Sequence, residues 1–326
     1  MPVFDYATQF ERELQQKYAR ELTSYALTQS NPSVKFLNAQ TIKLPRMTVS
    51  GYKDHNRAAI GFNTGSVSND WEPKKLSFDR DIEIPIDPMD IDETNLVVET
   101  ANIQNVFETE QAIPEKDSYR YSKLYTEAVT YASKGAAVDT TTLTTANVLE
   151  WFDSMMEAMD DNSVPVEGRI LYCTPAFNTL LKNAKEIQRT IDARSGGGID
   201  RRVTALDEVQ IVKVPSARLK TKYDFTDGCV PADDAKQINA ILVHPSCVIS
   251  RDKYAYMKLF TPGSDSRTAD KYVYQNRYYT DTFLIENKAC GIAINVEADT
   301  TVDNKTDTEP SVGDDSSENQ QGGTSE

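Results

Sequence analysis

The sequence predicts an α+β protein, and three observations carry that prediction. Residues 92–131 (DETNLVVETANIQNVFETEQAIPEKDSYRYSKLYTEAVTY) repeat apolar side chains at helical spacing. Ile103, Val106 and Phe107 lie on one face, and Tyr121, Leu124, Tyr125 and Ala128 continue the pattern below. Residues 36–90 and 252–297 instead alternate apolar and polar side chains, as strands do. Between about 144 and 251, helical and strand-like stretches follow one another, which predicts an α/β unit inside the larger fold.

The helical stretch sets the scale. At 1.5 Å per residue, roughly 40 residues run about 60 Å. A compact chain of this length is only about 50 Å across. Such a helix is a beam on which the rest must pack. Pro114 lies inside it, and an interior proline predicts a bend or a fresh helix start.

Residues 4–28 form an amphipathic helix candidate, with Ala7, Phe10, Leu14, Tyr18, Leu22 and Tyr25 as its apolar stripe. The stripe fits a helix on its own core, or an arm lying on a neighbouring subunit. Ile42 and Leu44, then Met47 and Val49, alternate as strand residues, and Leu76, Phe78, Ile82, Ile84 and Ile86 read as the return strand. About 25 Gly-, Asn- and Ser-rich residues separate the two, holding Ile60, Phe62 and the isolated Trp71. A long two-stranded ribbon is barely stable alone and needs something to lie on. Its expected support is another subunit, which makes Phe10, Leu14, Tyr18, Ile60, Phe62 and Trp71 the inter-subunit contact candidates.

After the beam, Thr144 or Thr145 is placed to cap a helix reaching about Met159. Ile170–Cys173 is a buried-strand signal, and Thr174-Pro175 opens a helix through Ile187. Val209–Val214, Ile238–Val243 and Gly291–Val296 are further strands. The closely spaced Tyr254, Tyr256, Tyr272, Tyr274, Tyr278, Tyr279 and Phe283 suit sheet faces.

The net charge of −15 excludes the basic footprint that tight DNA binding needs. Residues 299–326 hold eight acidic groups and Lys305, a net −7, and almost no apolar side chains, so disorder is expected there. No apolar run approaches the length of a membrane span, and the N-terminus lacks a signal-peptide core. Cys173, Cys229, Cys247 and Cys290 form no C-x-x-C pair and read as reduced thiols.

Chemistry-bearing patterns are sparse. Two histidines, His55 and His244, leave no usual histidine metal site. A His244/Cys247 dyad would need side chains in one tight turn to face each other, and no third orienting group is evident. Ser195–Gly198 lacks the phosphate-loop spacing. Asp87, Asp90, Asp92 and Glu93 fit either a cation site or the favourable electrostatics of a helix start. No catalytic, cofactor-binding or metal residues are assigned, and no cofactor is expected.

The order of parts resembles the major capsid protein family of tailed bacteriophages over residues 1 to about 297. The matching segments are Asp90-Ile91-Asp92-Glu93-Thr94, Pro114-Glu115-Lys116-Asp117-Ser118-Tyr119-Arg120-Tyr121, Val243-His244-Pro245-Ser246 and Phe260-Thr261-Pro262. The resemblance implies an N-terminal arm (1–35) and an extended β-ribbon loop with its base (36–91). It implies a peripheral domain with a spine helix (92–133 and 252–287), an axial domain (134–251 and 288–297) and an acidic tail (298–326). It further implies a non-enzymatic shell subunit that forms hexamers and pentamers around double-stranded DNA, assembled in host cytoplasm and resident in the virion. Scaffolding and portal proteins are the implied partners, the scaffold as a separate protein since the sequence starts almost at the arm. An encapsulin-like compartment, a hydrolase and a monomeric adaptor are the alternatives.

Overall fold

The computed structural model describes residues 22–29, 41–55, 61–87, 104–184, 205–264 and 270–298. At its centre is a six-stranded sheet. Its order is β4 (Ala137–Asp139), β13 (Ile292–Val296), β10 (Ile238–Val243), β5 (Ile170–Cys173), β7 (Val209–Lys213) and β6 (Ala205–Leu206). β10 runs antiparallel to β13 and β5, while β4 and β7 run parallel to their inner neighbours. The inner strands read ILYC, INAILV and IAINV, the near-continuous apolar runs of a sheet covered on both faces.

Alternation sorts those side chains between two layers. Tyr172, Ile241 and Ile294 pack with Tyr121, Leu124 and Ala128 of α2 (Ile113–Thr130). Leu171, Cys173, Leu242 and Ala293 pack with Trp151 and Phe152 of α3 (Val148–Asp161) and Phe177 and Leu181 of α4 (Pro175–Asn183). Thr174 caps α4 by accepting from the Phe177 N–H at 3.2 Å, as the Thr-Pro pair predicts. The cap of α3 is Asn147 instead of a threonine. Its side-chain oxygen accepts from Thr144 and braces the preceding loop, which postpones the helix start.

The Tyr172 hydroxyl is buried in the α2-facing layer with no hydrogen-bond partner among the described residues. Losing a buried, unpaired hydroxyl removes a desolvation cost. Tyr172→Phe is therefore expected to raise stability by up to about 1 kcal/mol in urea denaturation.

A second, three-stranded antiparallel sheet lies on α2, ordered β11 (Val248–Phe260), β12 (Tyr272–Leu284) and β3 (Phe78–Ile86). Phe78, Tyr119 and Tyr278 seal that contact, with the rings of Phe78 and Tyr119 stacked at 3.7 Å. A small hairpin, β8 (Tyr223–Asp224) and β9 (Val230–Pro231), supplies Phe225 edge-on to both.

The ribbon corrects the sequence reading. β1 (Thr41–Val49) pairs with β2 (Val67–Lys75), in register from Thr41↔Lys75 to Val49↔Val67. Leu76–Ile86 is not the return strand, because Phe78–Ile86 belongs to the three-stranded sheet. β2 reads VSNDWEPKK, a strand with no apolar alternation to reveal it. Pro45 and Pro73 fit because each strand of a two-stranded ribbon is an edge. The ribbon's base also has local support: Ile42 and Leu44 are buried with Leu76, Ile249 and Phe283.

The arm departs from expectation where it is described. Residues 22–24 form a turn, and α1 is short, Tyr25–Gln29. A helix continuous to residue 28 is prevented because Thr23 and Ser24 give their N–H groups and hydroxyls to the Asp117 carboxylate.

The beam is helical throughout its described part, from residue 104 to Thr130. Pro114 does not end it. Glu108–Ala112 forms a π-turn just before the proline, closed by an Ile113 N–H to Glu108 oxygen bond. Widening that turn relocates the hydrogen bonds that an interior proline would break.

Candidate assembly site

The segment Pro114–Tyr121 is the structural hub. Residues 115–122 of α2 are all buried, including Glu115, Lys116, Asp117 and Arg120. A helix covered on every side has no solvated face for its charges, so each must find a partner. Asp117, with no exposure, takes bonds from Thr23 and Ser24 and pairs with Arg218 at 3.1 Å. Arg120 reaches Ser24 at 2.9 Å and Asp252 at 3.2 Å. Glu115 pairs with Arg80 of β3 at 2.7 Å and accepts from the Tyr278 hydroxyl at 2.9 Å. The Tyr119 hydroxyl donates to Asp281 at 2.8 Å. Residues 23–24, both sheets and the β8–β9 region are thus joined through one helical segment.

The hub perturbs its neighbours in directions set by burial and charge. Burial pushes Lys116 down to about 8 against the pull of Asp252, Glu108 and Glu115. Its ammonium sits 4.0 Å from the Tyr278 ring centre, a cation–π contact. Asp252 is pushed up by burial, but Arg120 and Lys116 hold it below the usual range.

Burial raises Glu108 above its ordinary 4.5 despite Lys116 and the bonds from Tyr274 and Asn276. Unfolding thus lowers this pKa, so the folded state loses stability as pH climbs from 4.5 through the folded value. Glu108→Gln keeps a carbonyl acceptor and removes that loss. The variant is expected to melt above the parent at pH 7.5, with the difference shrinking toward pH 4.

The His244/Cys247 pair is not a dyad. His244 Nδ1 bonds to Ser246 at 2.7 Å and Nε2 meets the Glu167 carbonyl at 3.2 Å, so both ring nitrogens are engaged. Cys247 is directed at the Gly291 carbonyl, and burial pushes its thiol up to about 12, which suppresses the nucleophilic thiolate. Among the described residues no cluster of three or more His, Cys, Asp or Glu is arranged to hold a metal, and no helix is long and apolar enough to cross a membrane. Ser195–Gly198 and, of the acidic cluster, Asp90, Asp92 and Glu93 lie outside the described residues.

The ribbon presents a surface left exposed among the described residues. Its base is fixed: Arg46 pairs with Glu286 at 3.1 Å, and Lys74 pairs with Glu127 at 3.7 Å and bonds to Tyr131. Burial pushes the Lys74 ammonium down, yet Tyr131, Glu72 and Glu127 outweigh it and hold the group above its ordinary value. Beyond this anchor the face changes. Met47 and Val49 have the opposite phase to Ile42 and Leu44, and the register sets Val67 and Trp71 beside them. Met47, Val49, Val67 and Trp71 are 67%, 63%, 67% and 50% exposed. Tyr52 and Phe62, at the tip, are fully open to solvent.

Phe62 and Trp71 thus stand on the exposed ribbon, as the contact reading requires, although no contact is present to test it. Phe10, Leu14, Tyr18 and Ile60 lie outside the described residues. Met47, Val49 and Val67 were missed as surface residues. The signal was the phase slip between Leu44 and Met47, which turns an apparent inward face outward.

No family model and no curated protein matches the chain. Solved structures do. The mature capsid of bacteriophage PhiM1 aligns at 13% identity and a TM-score of 0.59, covering 80% of this chain and 83% of that one. The capsid of cyanophage P-SCSP1u aligns at 11% identity and 0.59, covering 81% and 85%. A structure from Mycobacterium phage Che8 aligns at 12% identity and 0.53, covering 79% and 85%. With its central six-stranded sheet, two-stranded ribbon and a helix buried over residues 115–122, this chain has the fold of these phage capsid structures.

Proposed function

We propose that the chain is a phage major capsid protein, a structural and non-enzymatic subunit that assembles into the hexamers and pentamers of an icosahedral head around double-stranded DNA. One observation carries the reading: an anchored ribbon in a capsid fold exposes Met47, Val49, Val67 and Trp71 along a single face. Exposed apolar side chains grouped in this way mark an interaction surface, which a tiling subunit needs. In this reading residues 1–35 are the arm and 36–91 the extended loop. Residues 92–133 with 252–287 form the peripheral domain, and 134–251 with 288–297 the axial domain. The chain resides in the virion after assembly in host cytoplasm, with scaffolding and portal proteins as partners. The acidic balance suits an inner wall that must not grip the packaged DNA.

Negative-stain electron microscopy of the purified chain tests this. Closed shells or hexameric and pentameric rings are the expected result. A monodisperse monomer at tens of micromolar, with and without a co-expressed scaffold, would overturn it.

A further inference from the structure

A pocket of about 240 Å³ lies at the end of the central sheet where β10 begins and β13 ends. Leu143, Ala176, Phe177 and Leu180 give it apolar walls. Ala176 and Leu180, one turn apart, present the flank of α4. The helix start at Thr174-Pro175, which would favour an anion, is not part of the lining. Gln237, Asn239 and Glu297 supply the polar side. What lies behind them turns these groups into acceptors. Asn295, fully buried, bonds to the Asp139 carboxylate at 2.9 Å and the Thr141 carbonyl at 3.0 Å. Both of those groups only accept, so Asn295 turns its Nδ2 to them and its Oδ1 to Asn239. Asn239 therefore gives its Nδ2 to Asn295 at 2.8 Å, which leaves its Oδ1 open. The Gln237 Nε2 serves the carbonyls of Ser216, Leu219 and Ile238, which likewise leaves Oε1. Neither amide oxygen, nor the exposed Glu297 carboxylate, has a donor among the described residues.

We propose that this pocket binds a primary ammonium carried on an aliphatic stem. The three N–H donors of an ammonium match one carboxylate and two amide oxygens, and bonds to a charged group are the strong ones. A guanidinium would bring five donors in a rigid fork and leave some unmet. Leu143, Phe177 and Leu180 cover the methylenes, as apolar surface does for lysine stems. At roughly 30 Å³ per water-sized group, the pocket has room for the five heavy atoms of n-butylammonium. The ammonium can come from a lysine of a second copy or from a free amine. The assignment rests on the pocket alone and not on the capsid reading.

Saturation-transfer NMR with n-butylammonium on the full chain tests this, and it reads the small molecule whether or not the chain forms shells. Saturable transfer, strongest on the stem methylenes, is expected with a Kd of roughly 1–10 mM. Glu297→Gln is expected to weaken it about tenfold or more. Glu157→Gln, which changes an exposed carboxylate on α3 outside the pocket, is expected to leave it unchanged. n-Butanol, with the stem and no charge, and n-butyrate, with the opposite charge, are expected to show no saturable transfer. Equal binding of either probe overturns the inference, as do unchanged binding by the Glu297→Gln chain and absence of transfer at every chain concentration. Chain concentration separates the sources. Transfer per chain that falls as the chain is concentrated assigns the ammonium to a lysine of a second copy, and constant transfer assigns it to a free amine.

Discussion

Asp117→Ala is expected to destabilise the subunit by about 3–5 kcal/mol, the range for breaking a buried, fully paired charge. The carboxylate has no exposure and satisfies Thr23, Ser24 and Arg218 together. Its removal strands the N–H and hydroxyl of the buried Ser24 and takes the acceptor from the part-buried Thr23 and Arg218. Such a loss is a large share of a typical domain's stability. Urea unfolding by circular dichroism measures the effect directly. Asp117→Asn keeps one acceptor oxygen and is expected to fall between the parent and alanine. A midpoint for Asp117→Ala equal to the parent's would show that the hub is a bystander.

Val49→Asp/Trp71→Asp is expected to lower that midpoint only slightly and to stop assembly. Val49 is 63% and Trp71 50% exposed on the ribbon, so the change removes little burial from the isolated subunit. At a contact between copies the same change loses apolar burial and forces two carboxylates into the seam. A cost of about 2–4 kcal/mol per contact lowers each contact's equilibrium constant roughly 30- to 1000-fold. Repeated over a shell, this raises the concentration for assembly beyond practical reach. Light scattering and electron microscopy read the outcome. Normal shells from the double variant would rule out this face as the seam.

How much of this was legible in the sequence depended on whether burial leaves a pattern. β5, β10 and β13 were readable because strands covered on both faces are apolar runs, and α4 announced itself through Thr174-Pro175. β2 was invisible, since a ribbon strand with little of its surface covered needs no apolar side chains. Its absence from the reading moved the return strand nine residues or more along the chain. The Pro114–Tyr121 segment was noticed as a motif, but nothing in hydropathy says that Glu115, Lys116, Asp117 and Arg120 are buried. Only the partners brought in from distant parts of the fold make that placement possible. On the ribbon, Trp71 and Phe62 stood out as isolated aromatics, whereas Met47 and Val49 were disguised by the phase slip after Leu44.

The hub also bears on how the subunit is born. Asp117 finds Thr23 across 94 residues and Arg218 across 101, Arg120 finds Asp252 across 132, and Tyr119 finds Asp281 across 162. A chain emerging from the ribosome carries this helix with Arg120 short of Asp252 until β11 has been made, and with Tyr119 short of Asp281 until β12 follows. Closure of such distant contacts is slow, because loop entropy is lost before any contact repays it. Completion of the hub therefore waits on β12, and the Arg46–Glu286 pair that fixes the base of the ribbon forms only after that strand has been made.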